Sequence, residues 1–235
     1  MKTLCTICAR GGSQGVKNKN IINLRGKPLI AHTILQAKRS GLFSVIVVSS
    51  DSPQILAVAE EWGADYLINR PIEMASSTAA KLPAIQHAVL ETERITSASF
   101  DVIVDLDVTS PLRAVDDIHN AHDLLVNNNN ALNLVTASLA RRSPYFNMLE
   151  VSGDGFAQLA KLPENPVVRR QDAPLCYDMN SSIYIWKREE LLQCQRVITN
   201  RTLLYVMPEE RSIDIDSTMD LQLVRLLAKS REDMN

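Results

Sequence analysis

The chain has 235 residues, enough for one large α/β domain with a buried core. Apolar residues make up 46% and charged residues 22% of it, and the formal net charge is −2, so its bulk composition does not indicate a protein that binds nucleic acid or a membrane surface. No apolar run reaches the roughly 18 residues of a membrane-spanning helix, and the N-terminal apolar run leads into a glycine loop instead of a signal-peptide cleavage site, so we expect a cytoplasmic protein.

Two kinds of apolar pattern alternate along most of the chain. Short runs rich in β-branched residues are typical of strands buried on both faces, and longer runs with a period near 3.6 are typical of helices. The predicted strands are 3–9, 44–50, 64–69, 100–107, 132–140, 181–187 and 202–208. The predicted helices are 27–41, 52–64, 81–94, 115–127 and 217–230, the last with Ser217 and Asp220 in a capping-box pattern.

This alternation predicts an α/β fold of the Rossmann-like, doubly wound type, with helices on both faces of a mainly parallel sheet. Ligands of such sheets bind beyond the carboxyl ends of the strands. Candidate site residues therefore follow the strands, at 10–20, 49–51, 105–113 and 214–216. Asp51 has two explanations at such a position, a ribose-binding acid or a cap for the next helix.

Cys5 and Cys8 form a C-x-x-C pattern, which invites a redox or zinc interpretation. Both lie in the first predicted strand, where side chains three positions apart point to opposite faces. We therefore expect two separate core thiols and no shared site.

Residues 141–176 interrupt the alternation of strands and helices. The segment contains a hairpin pattern turned at "SGDG", followed by a loop punctuated by prolines. We expect an insertion within a single domain of residues 1–235, serving as a lid or as a contact with another subunit. Its apolar residues, among them Tyr145, Phe146 and Met148, favour the second use, and the sequence thus predicts a homodimer built through this segment.

The loop after the first strand, "ARGGSQGVKNKN", has the ingredients of a phosphate site. Its glycines, at 11, 12 and 15, match neither the Walker A loop nor G-x-G-x-x-G. Glycines still let backbone N–H groups approach an anion, and Arg10, Lys17 and Lys19 supply positive charge. Three cations suit a triphosphate, although an exposed basic turn remains the alternative.

Asp214 and Asp216 stand two residues apart in "SIDIDS". In an extended segment both carboxylates lie on one face, an arrangement that suits Mg²⁺ bound to phosphate oxygens. A polar turn before the capped helix explains the same pattern, and the residues alone leave both interpretations open.

Several motifs together resemble the acylneuraminate cytidylyltransferases, the CMP-nonulosonic acid synthetases. They are "ICARGGSQGVKNKN", "RPIEMASSTA", "TSPLR", "RRQDAP…YDMNSSIYIW" and "SIDIDSTMDL", which occur in the family's order and cover nearly the whole chain. Within the family, "CTICARGGS", "ARRSPYFN" and "CYDMNSSIYI" are most similar to the synthetases for legionaminic acid, a bacterial relative of sialic acid.

The resemblance implies a nucleotidyltransferase-type fold and a reaction of CTP with a nine-carbon sugar acid, giving a CMP-sugar for bacterial surface glycans and pyrophosphate. The implied cofactor is Mg²⁺ or Mn²⁺ on Asp214 and Asp216. The implied catalytic residues are Arg10, Lys17, Lys19 and Asp216, with Asp216 accepting the proton of the attacking hydroxyl. The implied nucleotide-binding residues are Ala9, Arg10, Gly11, Gly12, Ser13, Lys19, Asn20 and Ser76. The implied substrate-binding residues are Asp107, Arg113, Arg170, Asp178 and Asn180.

Three positions depart from the family's pattern. Gln14 replaces a lysine of the phosphate loop, so Lys17 would have to substitute for it or turnover would be slow. Asp107 and Asp178 stand where sialic acid synthetases commonly have glutamine and arginine, which makes the sugar site less cationic. These differences favour a differently decorated sugar over sialic acid.

Three alternatives remain at the level of the sequence. One is a sialic acid synthetase. Another is a CTP- or CMP-sugar-binding protein without turnover, for which Gln14 is the motive. The third, a nicotinamide-dependent oxidoreductase, is disfavoured because the dinucleotide fingerprint is absent from the sequence.

Overall fold

The structure, a computed structural model, describes residues 1–12, 15–75, 80–163, 165 and 167–234. Its strands are β1 Thr3–Cys8, β2 Asn23–Leu24, β3 Lys27–Pro28, β4 Val45–Ser50, β5 Tyr66–Asn69, β6 Val102–Leu106, β7 Asn133–Leu139, β8 Leu149–Val151, β9 Ala157–Leu159, β10 Tyr177–Lys187 and β11 Thr202–Val206. Its α-helices are α1 Leu29–Ser40, α2 Pro53–Glu61, α3 Lys81–Thr96, α4 Val115–Val126, α5 Arg188–Gln193 and α6 Thr218–Ala228. Short 3₁₀ helices span Lys19–Ile21, Ile72–Met74, Arg170–Asp172, Glu209–Arg211 and Glu232–Met234.

Seven strands form one sheet in the order β11-β7-β10-β6-β1-β4-β5. All neighbouring pairs are parallel except those that β10 makes with β6 and β7. The predicted mainly parallel α/β sheet is thus confirmed, and the antiparallel direction of β10 is an addition. It follows from the excursion of residues 141–176, because Tyr177 pairs with Leu139 and the chain re-enters the sheet at the end where it left.

Helices cover both faces of the sheet. Helices α1, α2, α4 and α6 pack on one face through residues such as Ile34 and Leu221. Helix α3 covers the other face through Leu82, Ile85 and Val89, together with Leu191 of α5. Cys5 and Cys8 pack with the two different faces and are free thiols, as their spacing predicts.

Local signals set most helix ends. Gly41 ends α1 with a φ of +62°, the left-handed conformation that favours glycine. Ser217 and Asp220 form the predicted capping box of α6. Helix α1 begins two residues later than predicted, because Lys27 and Pro28 pair with β2 across a tight turn at Arg25 and Gly26.

The predicted hairpin in the inserted segment is present as β8 paired antiparallel with β9. It forms a separate two-stranded sheet, and its apolar side chains are largely exposed, with Val151 at 72% and Phe156 at 73%. Across the residues that the structure describes, we find no helix with the length and apolar character needed to cross a membrane.

The direction in which the chain winds reverses at β1. The chain passes from β1 to β4 and β5 on one side, and later returns to β6 on the other side of β1. The crevice beyond the carboxyl ends of β1 and β6 is therefore the expected ligand position for this topology.

Candidate active site

Hydrogen bonds with Asp51, which follows β4, and with Asn20 of the 3₁₀ helix Lys19–Ile21 hold the start of the glycine loop. The Gly11 N–H donates to Asp51 Oδ1 at 2.8 Å, and the Asn20 side-chain amide donates to the Arg10 carbonyl at 2.8 Å. Asp51 therefore serves the loop, a role that neither of its two sequence-based explanations included. The N–H of Ala9, a residue predicted to bind the nucleotide, donates to the Ser49 carbonyl at 3.0 Å.

The glycine loop and the paired aspartates meet in space. Lys19 Nζ donates to the Ile215 carbonyl at 2.6 Å and to Asp216 Oδ1 at 3.1 Å. At Gly15, an added Cβ would lie 1.9 Å from the Asp216 carbonyl oxygen, so only glycine fits this close approach. Two segments that lie about 200 positions apart in the sequence thus form one wall.

A cleft of about 310 Å³ opens at this wall, at the carboxyl ends of β1 and β6. It is lined by Cys8, Arg10, Gly15, Lys19, Asn20, Asp107, Thr109 and Asp216. Five of these eight residues were predicted for the site: Arg10, Lys19, Asn20, Asp107 and Asp216. Gly12 and Lys17 are exposed near the cleft and do not line it.

Asp214 lies beside the cleft, in surroundings that disfavour its negative charge. Its Oδ2 accepts the Ser181 N–H at 2.8 Å, whereas its Oδ1 is buried without a hydrogen-bond partner. Burial, with smaller contributions from the charges of Asp107 and Asp216, raises the pKa of Asp214 from 3.8 to about 6. A buried carboxylate oxygen without a donor is suited to a cation.

The carboxylates of Asp214 and Asp216 are oxygen ligands of the kind that Mg²⁺ prefers. Within the described ranges, no three His, Cys, Asp or Glu side chains converge into a cation cage. Mg²⁺ does not need such a cage, because it commonly takes one or two carboxylates and completes its shell with phosphate oxygens and water. Asp214 and Asp216 are therefore a donor pair that fits Mg²⁺ with a bound triphosphate.

Lys81, which no sequence pattern indicated as a site residue, contacts Asp107, one of the residues that line the cleft. Its Nζ lies 2.7 Å from Asp107 Oδ2 and 2.9 Å from the fully buried Asp105. Burial opposes the charge, but the two carboxylates hold the pKa of Lys81 above its usual value. Burial likewise opposes ionisation of Asp107, yet the Lys81 charge and hydrogen bond hold the pKa of Asp107 below its usual range.

Arg113, a predicted substrate-binding residue, lies in the core next to the backbone of Asp107. Its side chain is fully buried, and it donates to Gln36 Oε1 at 2.9 Å, to Thr33 Oγ1 at 3.0 Å, and to the carbonyls of Asp107 and Ser182. Burial lowers the pKa of Arg113 to about 10. Its guanidinium ties α1 and β10 to the backbone at Asp107.

Asn180, also predicted to bind the substrate, is 4% exposed. Its Oδ1 accepts from Thr136 Oγ1 at 2.5 Å and from the Ser182 N–H at 3.3 Å. These bonds shape the irregular pairing of β10 with β7. Asn180 therefore positions the strand that carries Ser181, the partner of Asp214.

Arg170 and Asp178 lie outside the cleft. Arg170 is exposed, donates to the Ala140 carbonyl at 3.3 Å, and lines a second pocket of about 320 Å³ with Arg142. Asp178 is exposed on β10, opposite Ser138 of β7. The structure thus groups these two predicted substrate residues with the inserted segment and apart from the cleft.

Three sequence-based predictions lie outside the described residues, those for Ser13, Gln14 and Ser76. In the same motif as Ser76, the side chain of Arg70 is nearly buried and donates to the Ser49 carbonyl at 2.8 Å. Arg70 therefore braces the strand end that also holds the glycine loop.

A model of the cytidylyltransferase family matches residues 4–229. The chain is 45% identical, over 95% of its length and 94% of the relative's, to the CMP-N,N′-diacetyllegionaminic acid synthase of Campylobacter jejuni subsp. jejuni serotype O:2. It is 30% identical to the N-acylneuraminate cytidylyltransferase of Escherichia coli O18:K1:H7 over 94% of this chain and 51% of that relative. It also resembles a solved CMP:2-keto-3-deoxy-manno-octonic acid synthetase complexed with CTP, with a TM-score of 0.68, 15% identity, and coverage of 97% of this chain and 99% of that one. This last likeness concerns the fold.

Proposed function

The chain belongs to the cytidylyltransferase family, and from this membership we propose that it transfers CMP from CTP to the anomeric hydroxyl of a nonulosonic acid and releases pyrophosphate. The observation that carries the proposal is the meeting of Arg10, Gly15 and Lys19 with Asp216 in one cleft at the reversal point of the sheet. This arrangement places cations and carboxylates together where a doubly wound fold binds nucleotides.

The chemistry needs positioning and charge neutralisation more than covalent catalysis. The anomeric oxygen attacks the α-phosphorus, the bond to the leaving pyrophosphate breaks, and the hydroxyl proton leaves the sugar. Arg10, Lys17 and Lys19 neutralise the negative charge that grows on the pyrophosphate. Asp216 is exposed at the mouth of the cleft and is our candidate for the proton acceptor.

We further propose that Asp214 and Asp216 hold Mg²⁺ or Mn²⁺. When bound, the ion supplies positive charge that shields the phosphates from the carboxylates and polarises phosphate oxygens. The unpartnered Oδ1 of Asp214 gives the ion a ready ligand.

The proposed acceptor is N,N′-diacetyllegionaminic acid, with sialic acid as the alternative. The 45% identity to a legionaminic acid synthase exceeds the 30% identity to an N-acylneuraminate enzyme. Asp107 supports the same choice, because it presents a carboxylate to the cleft where sialic acid synthetases commonly have glutamine. A carboxylate accepts hydrogen bonds from the hydroxyl and amide N–H groups of a diacylated sugar.

We propose that the chain acts as one cytidylyltransferase domain, residues 1–235, that dimerises through the insertion at 141–176. The insertion and the start of β10 expose many apolar side chains, which favours burial against a second copy. They include Leu149 at 60%, Val151 at 72%, Phe156 at 73%, Leu162 at 78%, Val168 at 80% and Leu175 at 74% exposure. Arg141, Arg142, Arg169 or Arg170 would then reach the sugar carboxylate of the neighbouring copy as a bidentate clamp.

The cytoplasm is the proposed location, because the reaction consumes CTP, a cytoplasmic metabolite. Neither nucleic acid nor a membrane is part of the proposed reaction. The products would serve bacterial surface glycan synthesis.

The test is steady-state kinetics with CTP, Mg²⁺ and a panel of legionaminic, sialic and pseudaminic acids. We expect sugar-dependent pyrophosphate release with the highest kcat/KM for the diacetylated legionaminic acid. A binding protein without turnover would bind CTP and release no pyrophosphate with any sugar, and a preference for sialic acid would replace the substrate proposal with its alternative.

A further inference from the structure

Lys81 stands at an unfavourable place for a cation, the first residue of the 16-residue helix α3. The positive end of the helix dipole repels positive charge there. The first turn carries no acidic residue, and Ala80 offers no side-chain cap. Helix stability therefore does not explain a lysine at this position.

The contacts of Lys81 explain its place. Its Nζ bridges Asp105 Oδ2 at 2.9 Å and Asp107 Oδ2 at 2.7 Å, and it lies 4.3 Å from the centre of the Tyr184 ring. Two carboxylates and an aromatic face thus surround one ammonium group whose side chain is 27% exposed. The pair of contacts links α3 to β6 and to the residue that follows β6.

The two carboxylates differ in what they face. Asp105 is fully buried, and its other oxygen accepts the Thr6 hydroxyl at 2.8 Å. Asp107 is 17% exposed and lines the cleft. Its Oδ1 accepts both the backbone N–H and the hydroxyl of Thr109 at 2.9 Å, while Oδ2 accepts from Lys81. The Asp107 carboxylate is therefore held from both oxygens in one orientation.

We propose that Lys81 is a positioning residue for sugar binding, which holds the Asp107 carboxylate in the orientation that accepts hydrogen bonds from the sugar acid. The inference rests on the proposed function, and it adds a residue that acts through Asp107 and not through the nucleotide. Ammonium–carboxylate bonds of this kind typically contribute more than neutral hydrogen bonds, because one partner is charged.

The competing explanation is that Lys81 only balances buried charge. Three variants distinguish the two explanations. Lys81→Met removes the ammonium and leaves two carboxylates together. Lys81→Met/Asp105→Asn removes one positive and one negative charge and so restores the local balance, and the amide oxygen of the introduced asparagine can still accept from Thr6. Asp105→Asn alone is the matched control, because it keeps the Lys81–Asp107 pair.

The readout is KM for the sugar acid and KM for CTP, measured separately at saturating concentrations of the other substrate. For the double variant we expect KM for the sugar to rise roughly 10–100-fold, the factor that corresponds to the typical contribution of one charge-assisted hydrogen bond. We expect KM for CTP to stay within about 2-fold of the parent. For Asp105→Asn we expect KM for the sugar to stay within about 3-fold of the parent, since each tenfold change needs about 1.4 kcal/mol.

A parental KM for the sugar in the double variant would overturn the role of Lys81, and so would an equal rise in KM for both substrates. If Lys81→Met does not fold, as circular dichroism would show, the charge-balanced double variant still decides the question. A parent enzyme without sugar-dependent pyrophosphate release would instead defeat the proposed function itself.

Discussion

Replacing Asp214 with asparagine is expected to stabilise the metal-free protein and to abolish its activity. Asp214 is largely buried, one of its oxygens has no donor, and its pKa is raised from 3.8 to about 6 by burial, with help from the charges of Asp107 and Asp216. Asparagine has nearly the shape of a protonated aspartate and keeps an acceptor for the Ser181 N–H. It removes the negative charge that this position disfavours.

The magnitude follows from the raised pKa. Between pH 3.8 and about 6 the unfolded chain has lost the proton that the folded chain still holds, so the stability of the parent falls as pH rises through this window. At about 1.4 kcal/mol per pKa unit the full loss is about 3 kcal/mol. Because the side chain is partly exposed, we expect the variant to gain roughly 1–2 kcal/mol at neutral pH and nothing below the window.

The assay is urea unfolding of both proteins in EDTA at pH 7.5 and at pH 3.8, followed by the same measurement with Mg²⁺ at pH 7.5. Asp216→Asn is the matched control, since the Asp216 side chain is 81% exposed and its loss should change stability by no more than about 0.5 kcal/mol. Mg²⁺ should stabilise the parent more than either variant. An Asp214→Asn protein that is no more stable than the parent in EDTA at pH 7.5 would show that the folded protein does not disfavour the negative charge of Asp214.

Four further changes test other parts of the account. Gly15→Ala forces a Cβ to within 1.9 Å of the Asp216 carbonyl oxygen, and we expect activity to fall by more than about 10-fold with a folded protein, as kinetics and circular dichroism would show. Arg113→Met leaves the carbonyls that Arg113 serves unpaired in the core and should cost about 3–5 kcal/mol in urea unfolding; a cost under about 1 kcal/mol would contradict its buried role. Phe156→Asp should shift a dimer towards monomer in light scattering, whereas a parent that is already monomeric would remove the proposed interface. Gln14→Lys, predicted from the sequence, should raise kcat, and a slower variant would show that residue 14 does not face the leaving group.

The arrangement of the cleft follows from rules that act on the sequence directly. Lys19 and Asp216 follow different strands, and the carboxyl ends of parallel strands share one edge of the sheet. The rule therefore predicts that these residues lie at the same edge, and the structure shows their side chains 3.1 Å apart. The capping box at Ser217 and the glycine after α1 are local signals and were found for that reason.

What the sequence could not supply was the direction of individual side chains. Arg113 stands in a motif next to the site, yet the motif does not say that its guanidinium turns into the core, and the structure shows this through four hydrogen-bond partners. The contact of Lys81 with Asp107 spans 26 positions, and that of Asp51 with Gly11 spans 40, so neither leaves a local pattern. The antiparallel direction of β10 depends on where the insertion returns to the sheet, which spacing alone does not encode.

Phosphorus NMR of a single reaction distinguishes the transfer of CMP to the sugar from any other reaction of CTP. The enzyme is mixed with CTP, Mg²⁺ and N,N′-diacetyllegionaminic acid, and the phosphorus signals are followed in time. We expect the three signals of CTP to disappear together and to be replaced by one phosphodiester signal and pyrophosphate in equal molar amounts, only when the sugar is present. Formation of CDP and orthophosphate, or conversion of CTP at the same rate without sugar, would contradict it.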